Sequence, residues 1–227
     1  MLGIVVAMER EAQPFLRDSY TSEVIFGRDF YRINIGGEEA VLAICGVGKV
    51  NASYTTALLI THFNPDLIVN CGVSGAIKEG LKPLDLVAIT SCVQHDADTS
   101  PLGDERGFVS TVNMKYFPTD KALADAVAEK CNTFKGIAAS GEQFVADGEK
   151  KKEISSLFDA SVCDMESGAV AQCAYISGKK YACVRCVSDS ADGSAPMDFV
   201  KFCDVASEKL YRAVEVIAEK YSEDTVR

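Results

Sequence analysis

No apolar run in this sequence approaches the ~18 residues that a membrane-spanning helix requires, so nothing in it is expected to enter a bilayer. Basic residues are also in short supply: 23 Lys and Arg stand against 33 Asp and Glu, giving a formal charge of −10. A chain of that sign repels phosphate backbones, which argues against a nucleic-acid partner. Histidine is scarce too. His62 and His95 are the only two, too far apart in the chain to read as a metal pair, and no metal is expected. His95, beside Asp96, reads as a residue that orders a loop or an interface. No basic n-region or cleavage site opens MLGIVVAMERE, and the nine cysteines, an odd number, sit mostly inside apolar runs such as VLAIC and YACVRC. Free buried thiols in a reducing cytoplasm are therefore expected, not a disulfide framework. Cys183-Val-Arg-Cys186 has no second pair at a matching spacing, so it reads as a buried strand before a zinc or redox site.

What the chain does have is 48% apolar and 25% charged residues over a length of 227, the make-up of one globular domain covering 1–227. Strand and helix patterns alternate throughout. Strands are predicted at Leu2–Ala7, Phe30–Ile35, Ala40–Ile44, Leu67–Asn70, Leu86–Cys92, Ile137–Ser140, Ser161–Cys163 and Tyr181–Val187. Helices are predicted at Met8–Leu16, Val50–His62, Ala122–Cys131, Glu149–Leu157, Ala169–Ile176 and Phe199–Tyr221. The expected fold is α/β, with a mixed, largely parallel central sheet flanked by helices on both faces. The hairpin around Gly36–Gly37 supplies the antiparallel part. His95–Pro118 is the least patterned stretch, and a loop that long in a compact domain is usually functional or an interface.

Two Gly-rich segments, Cys45-Gly-Val-Gly-Lys-Val-Asn and Asn70-Cys-Gly-Val-Ser-Gly-Ala, follow predicted strands. Neither matches a phosphate-binding motif, and each reads equally as a tight strand-to-helix turn. Together they mark the carboxyl edge of the sheet, where α/β proteins bind ligands. Glu11, Glu166 and Asp189 each fall where a strand gives way to a loop or helix. They are candidates for convergence on that edge. The alternatives are helix capping for Glu166 and Asp189 and a solvated helix face for Glu11.

The stretches GIVVAMEREAQPFL, CGVGKVNAS, NCGVSGAI, HDAD, SGEQFVAD, DMESGAVAQ and VRCVSDSAD, in this order, resemble the 5′-methylthioadenosine/S-adenosylhomocysteine nucleosidases of the purine nucleoside phosphorylase superfamily. The resemblance implies a nucleoside phosphorylase-like fold and hydrolysis of an N-glycosidic bond to release adenine. It gives Glu11 the role of base to the attacking water and Asp189 that of acid to N7 of the base. Glu166 is implied to bind the ribose hydroxyls, with Met165 packed against the sugar and Arg185 supporting it. Phe144 and Val145 correspond to the pair that stacks on adenine and reads its edge; Met8 and Phe199 correspond to residues near the ribose and the 5′ group. Asp164 stands where many relatives have Glu, and Val73 where some have a hydroxyl residue. Thr99–Phe108, with Leu102 and Asp104, differs from the aromatic-rich loop that the family lends to a neighbour's 5′ pocket. A small-molecule nucleoside substrate, no cofactor and a homodimer are implied, with apolar surface on the helix from Val50 and the His95–Pro118 loop as the candidate interface.

A phosphorylase on the same fold needs cations at the attacked face of the sugar. Related hexameric phosphorylases have Arg and Ser where this chain has Asn70 and Val73, and Glu11 stands where phosphate would bind. Water is therefore the expected nucleophile. The alternatives are a phosphorylase, a nucleosidase for futalosine or an unsubstituted nucleoside, and a non-catalytic nucleoside-binding protein.

Overall fold

Leu2–Val6 is buried at every residue, because the strand it forms lies between two helical layers. The computed structural model describes residues 1–189 and 199–225. In chain order the elements are β1 (Leu2–Val6), α1 (Glu9–Ala12), β2 (Thr21–Ile25), β3 (Arg28–Ile35), β4 (Glu38–Ile44), α2 (Lys49–Phe63), β5 (Leu67–Ala76) and β6 (Leu86–Gln94). There follow β7 (Tyr116–Pro118), α3 (Lys121–Lys130), β8 (Phe134–Ser140), α4 (Gly148–Phe158), β9 (Val162–Asp164), α5 (Ser167–Ile176), β10 (Lys180–Asp189) and α6 (Phe199–Thr225).

The sheet is mixed, as its pattern predicts. β1 pairs in parallel with β4 and β5, and β5 in parallel with β10. β10 runs antiparallel to β6, β6 parallel to β8, β8 parallel to β9, and β9 returns antiparallel to β5. Strands β5, β10, β6, β8 and β9 thus close into a ring, from which β1, β4, β3 and β2 extend as an arm. Local alternation does not reveal that closure. It depends on β9, only three residues long, bridging β8 and β5.

Successive strand side chains point to opposite faces, and β1 shows how both faces are filled. Leu2, Ile4 and Val6 join a core roofed by Phe202, Ala206, Leu210, Val214 and Ile217 of α6. Val5 joins the opposite core with Ala52 and Leu59 of α2 and Val170 and Ala174 of α5. Each fully buried Leu, Ile or Val contributes roughly 1.5–3 kcal/mol. Among the described residues no helix is long and apolar enough to cross a membrane.

Three features depart from the sequence expectation. Helix α1 has a single turn and gives way to a 3₁₀ segment, Gln13–Leu16, because Pro14 has no N–H to continue the α ladder. β2 and β7 carry no strand pattern: β2 is exposed along nearly its whole length, and β7 is three residues long. The 70–76 segment is no turn but the second half of β5, extended, with residues 70–75 paired to β10 and Ala76 to β9.

Helix α3 begins at a conventional cap, where Asp120 accepts from Ala122 N–H at 3.0 Å and Leu123 N–H at 3.2 Å. Asp120→Ala should lower stability by about 1 kcal/mol, read as a Tm loss of roughly 2–4 °C by calorimetry. An unchanged Tm would mean that the cap contributes nothing.

Candidate functional site

The carboxyl ends of β1, β5 and β10 lie side by side, and the side chains singled out in the sequence meet there. Met8, Glu11, Val73, Phe144, Val145, Asp164, Met165, Glu166 and Asp189 all line one cleft, whose empty space, mouth included, is about 680 Å³. Arg185 is 1% exposed and does not line the cleft. Phe199 opens α6, but its side chain lies outside the described residues.

Glu11 is not on a solvated face. It is 3% exposed, because α1 is so short that its third residue folds back over the helix start. Its Oε2 accepts from the N–H groups of Ala7 (2.9 Å) and Met8 (3.0 Å), and its Oε1 from Val73 N–H at 2.9 Å. Burial raises its pKa above the ordinary 4.5, against the pull of these three N–H groups and Arg185.

Glu166 occupies the N-cap position of α5, yet its side chain does not cap. Asp164 does that work: its Oδ1 accepts from Glu166 N–H at 3.1 Å and Ser167 N–H at 3.0 Å. Glu166 is left free to reach across to the first Gly-rich turn, where its Oε1 accepts from Gly48 N–H at 2.8 Å. Gly48 has φ +100°, a conformation that excludes other residues in practice. Burial, then the neighbouring Asp164 charge, raise the Glu166 pKa from 4.5 to about 7 despite Arg185 and Gly48 N–H.

Asp189 ends β10 at 7% exposure, with Ser188 Oγ 2.6 Å from its Oδ2 and 3.1 Å from the Ser74 carbonyl oxygen. The ladder with β5 slips here: Val187 faces Ser74 while Asp189 faces Gly75. This bulge lets two consecutive residues, Ser188 and Asp189, both line the cleft, which a regular strand forbids.

Beneath the cleft, Arg185 Nε lies 2.7 Å from Asp164 Oδ2, and its Nη2 donates to Asn70 Oδ1. Asn70 Nδ2 donates in turn to the Val5 carbonyl at 2.9 Å. Gly72 is required by close approach: a Cβ there would lie 2.5 Å from Arg185 Nη1 and 2.8 Å from Glu11 Oε1. The second Gly-rich segment thus owes its glycine to packing beneath the carboxylates, not to a turn.

The sequence reading missed Val47, Ser74, Gln143, Cys163 and Ser188, which also line the cleft. Val47 and Gln143 lie inside conspicuous segments, but no local pattern marks them. Burial pushes the Cys163 thiol up to about 12, so it is no nucleophile at neutral pH. His95 is 1% exposed, packed on Gly141, and neither ring nitrogen has a hydrogen-bond partner among the described residues. Burial lowers its pKa, which keeps the ring neutral. Among the described residues no group of three or more His, Cys, Asp and Glu is arranged to hold a metal.

A carboxyl whose pKa is raised on folding stabilises the protein fully below its unfolded pKa, and that contribution is lost as the pH rises through the folded value. For Glu166 the window runs from 4.5 to about 7. Glu166→Gln should therefore be more stable than the wild type at pH 8 and close to it at pH 5, by urea denaturation. An equal difference at both pH values would contradict the buried-charge account.

Residues 1–219 match the family model described as the phosphorylase superfamily. The 5′-methylthioadenosine/S-adenosylhomocysteine nucleosidase of Staphylococcus carnosus is 35% identical over 215 residues, covering 91% of this chain and 94% of that one. The crystal structure of the corresponding Neisseria meningitidis nucleosidase, in complex with methylthio-immucillin-A, superimposes with a TM-score of 0.90 at 29% identity, over 96% of this chain and 98% of that one. The futalosine hydrolase of Helicobacter pylori gives a TM-score of 0.89 at 28% identity, over 96% and 97% of the two chains. This chain belongs to the phosphorylase superfamily and, within it, to the 5′-methylthioadenosine/S-adenosylhomocysteine nucleosidase family of N-glycosyl hydrolases.

Proposed function

We propose that the cleft hydrolyses the N-glycosidic bond of 5′-methylthioadenosine or S-adenosylhomocysteine and releases adenine. The observation that carries the reading is the sign of the cleft's charge. Glu11, Asp164, Glu166 and Asp189 line it, and no Lys or Arg does among the described residues. Departure of the base leaves positive charge on the sugar, which carboxylates stabilise, whereas a phosphate dianion would be repelled.

In this reading Asp189 protonates N7 of the departing adenine, a general-acid contribution worth roughly 10²–10⁴ in rate. Ser188 Oγ, in contact with its Oδ2, fixes the carboxyl on its bulge. Glu11 orients water at the opposite face of the sugar and takes its proton. Three N–H donors anchor its two oxygens, so the base needs little reorganisation to act. Glu166 accepts from the ribose hydroxyls with the oxygen that Gly48 does not use. Met165 and Met8 pack against the sugar. Phe144, 68% exposed at the cleft mouth, stacks on the base, and the Val145 main chain reads the base edge. Arg185 supports the ribose region through Asp164 without touching substrate. The crystallised relative carrying methylthio-immucillin-A supports the choice of nucleoside.

A homodimer belongs to the same reading. Val50 and Tyr54 on α2, Val47 just before it and Leu102 in the 95–118 loop are exposed and apolar, a surface suited to a second copy. Sedimentation at micromolar concentration should give twice the chain mass of 24.4 kDa. A monomer would end that part of the proposal.

The enzymatic test is to incubate the protein with methylthioadenosine, adenosylhomocysteine, adenosine, inosine and futalosine, with and without phosphate. Adenine release from the first two at equal rates in both conditions is expected; strict phosphate dependence would overturn the hydrolase reading. Asp189→Asn should lower kcat by about 10²-fold or more with an unchanged Tm. Near-normal turnover would remove Asp189 from the acid role.

A further inference from the structure

Lys49, Asp96 and Glu142 take no part in the chemistry above, yet they form a closed ring of hydrogen bonds beside it. Lys49 N–H, at the first residue of α2, donates to Glu142 Oε2 at 2.7 Å. Glu142 N–H donates to Asp96 Oδ2 at 2.8 Å. Lys49 Nζ closes the ring on Asp96 Oδ1 at 2.6 Å and reaches Gln94 Oε1 at 3.1 Å. The three residues come from three separate segments: the first turn of α2, the turn after β6 and the loop after β8.

What flanks the ring gives it meaning. Gly48, next to Lys49, is the donor to Glu166, and a Cβ at Gly48 would overlap Glu142 Oε1. Two and three residues beyond Glu142 stand Phe144 and Val145, which line the cleft. We infer that Lys49, Asp96 and Glu142 are positioning residues for the nucleoside, holding the Phe144–Val145 loop in register with the turn whose Gly48 N–H orients Glu166. This rests on the nucleoside reading of the cleft.

Ion pairs on open surface contribute little, because both side chains are mobile and screened. This ring differs in two ways. The Lys49 and Asp96 side chains are 20% and 29% exposed, although Glu142 stands in the open. Two of the bonds end on backbone N–H groups, which no rotamer change can withdraw. The Glu142 carboxylate also sits on the N-terminus of a 15-residue helix, where negative charge is favoured. Burial raises the Asp96 pKa, but the Lys49 ammonium and Glu142 N–H outweigh it and hold the carboxyl below the ordinary range.

The ring meets no reacting atom, so losing it should weaken nucleoside capture more than turnover. With methylthioadenosine as the probe, Glu142→Ala should raise KM about tenfold, the cost of one charge-assisted hydrogen bond, while kcat changes less than about threefold. Glu142→Gln keeps an oxygen for Lys49 N–H and should recover most of the loss. A KM within about twofold of wild type for Glu142→Ala, or Gln no better than Ala, would overturn the inference, as would kcat falling as far as KM rises. Should Glu142→Ala not fold, Asp96→Asn carries the test: its KM should rise at least about threefold, and an unmoved KM overturns the proposal. A wild-type chain that releases no adenine would sink the nucleosidase reading itself. An active wild type with an unaffected Glu142→Ala would sink only this one.

Discussion

The site depends on one buried ion pair. Arg185 is the only Lys or Arg that is fully buried among the described residues, and Asp164, with a side chain 1% exposed, stands against it. A lone charge at such depth is costly, and removing one partner from a buried pair costs about 3–5 kcal/mol. The two are therefore committed to each other, and their remaining atoms set the geometry around them. Asp164 spends its second oxygen on the N–H groups of Glu166 and Ser167, which starts α5 and turns Glu166 towards the cleft. Arg185 reaches Asn70, which fastens to Val5, so the guanidinium ties together β10, β5 and β1. Asn70, itself buried, thus serves as a brace between the guanidinium and the main chain of β1.

The same arrangement explains the balance of charge. Burial pushes Glu11 and Glu166 towards holding a proton, with Arg185 and backbone N–H groups opposing the rise. Burial of these carboxylates is thus only partly compensated, a stability cost of the kind found where activity and stability trade against each other.

Much of this was legible in the chain. The alternation of strand and helix, the hairpin at Gly36–Gly37 and the boundaries of α2, α4 and β10 follow from periodicity and turn residues, since tertiary packing reinforces the local preference there. Glu11, Glu166 and Asp189 were legible as strand-end carboxylates, and the ordered motifs brought them to one site. β2 was not, because its exposed sequence Thr21–Ile25 has no buried face to imprint an alternation. Nor was the closure of the ring through β9, where three residues decide a pairing between distant segments. Gly72 looked like a turn glycine because its neighbours Gly75 and Asn70 are turn formers. Its actual reason, the approach of Arg185 and Glu11, is a contact between residues far apart in sequence.

The slip in pairing between Val187 and Asp189 has a consequence for how this part of the chain can change. Because side chains alternate along a strand, Asp189 faces the cleft only through one unpaired residue of backbone. Inserting or deleting a single position between Arg185 and Asp189 would rotate the carboxylate out of the cleft or pull the guanidinium away from Asp164. The length of this short stretch is therefore pinned at both ends, by the ion pair of Arg185 with Asp164 and by the place of Asp189 in the cleft wall.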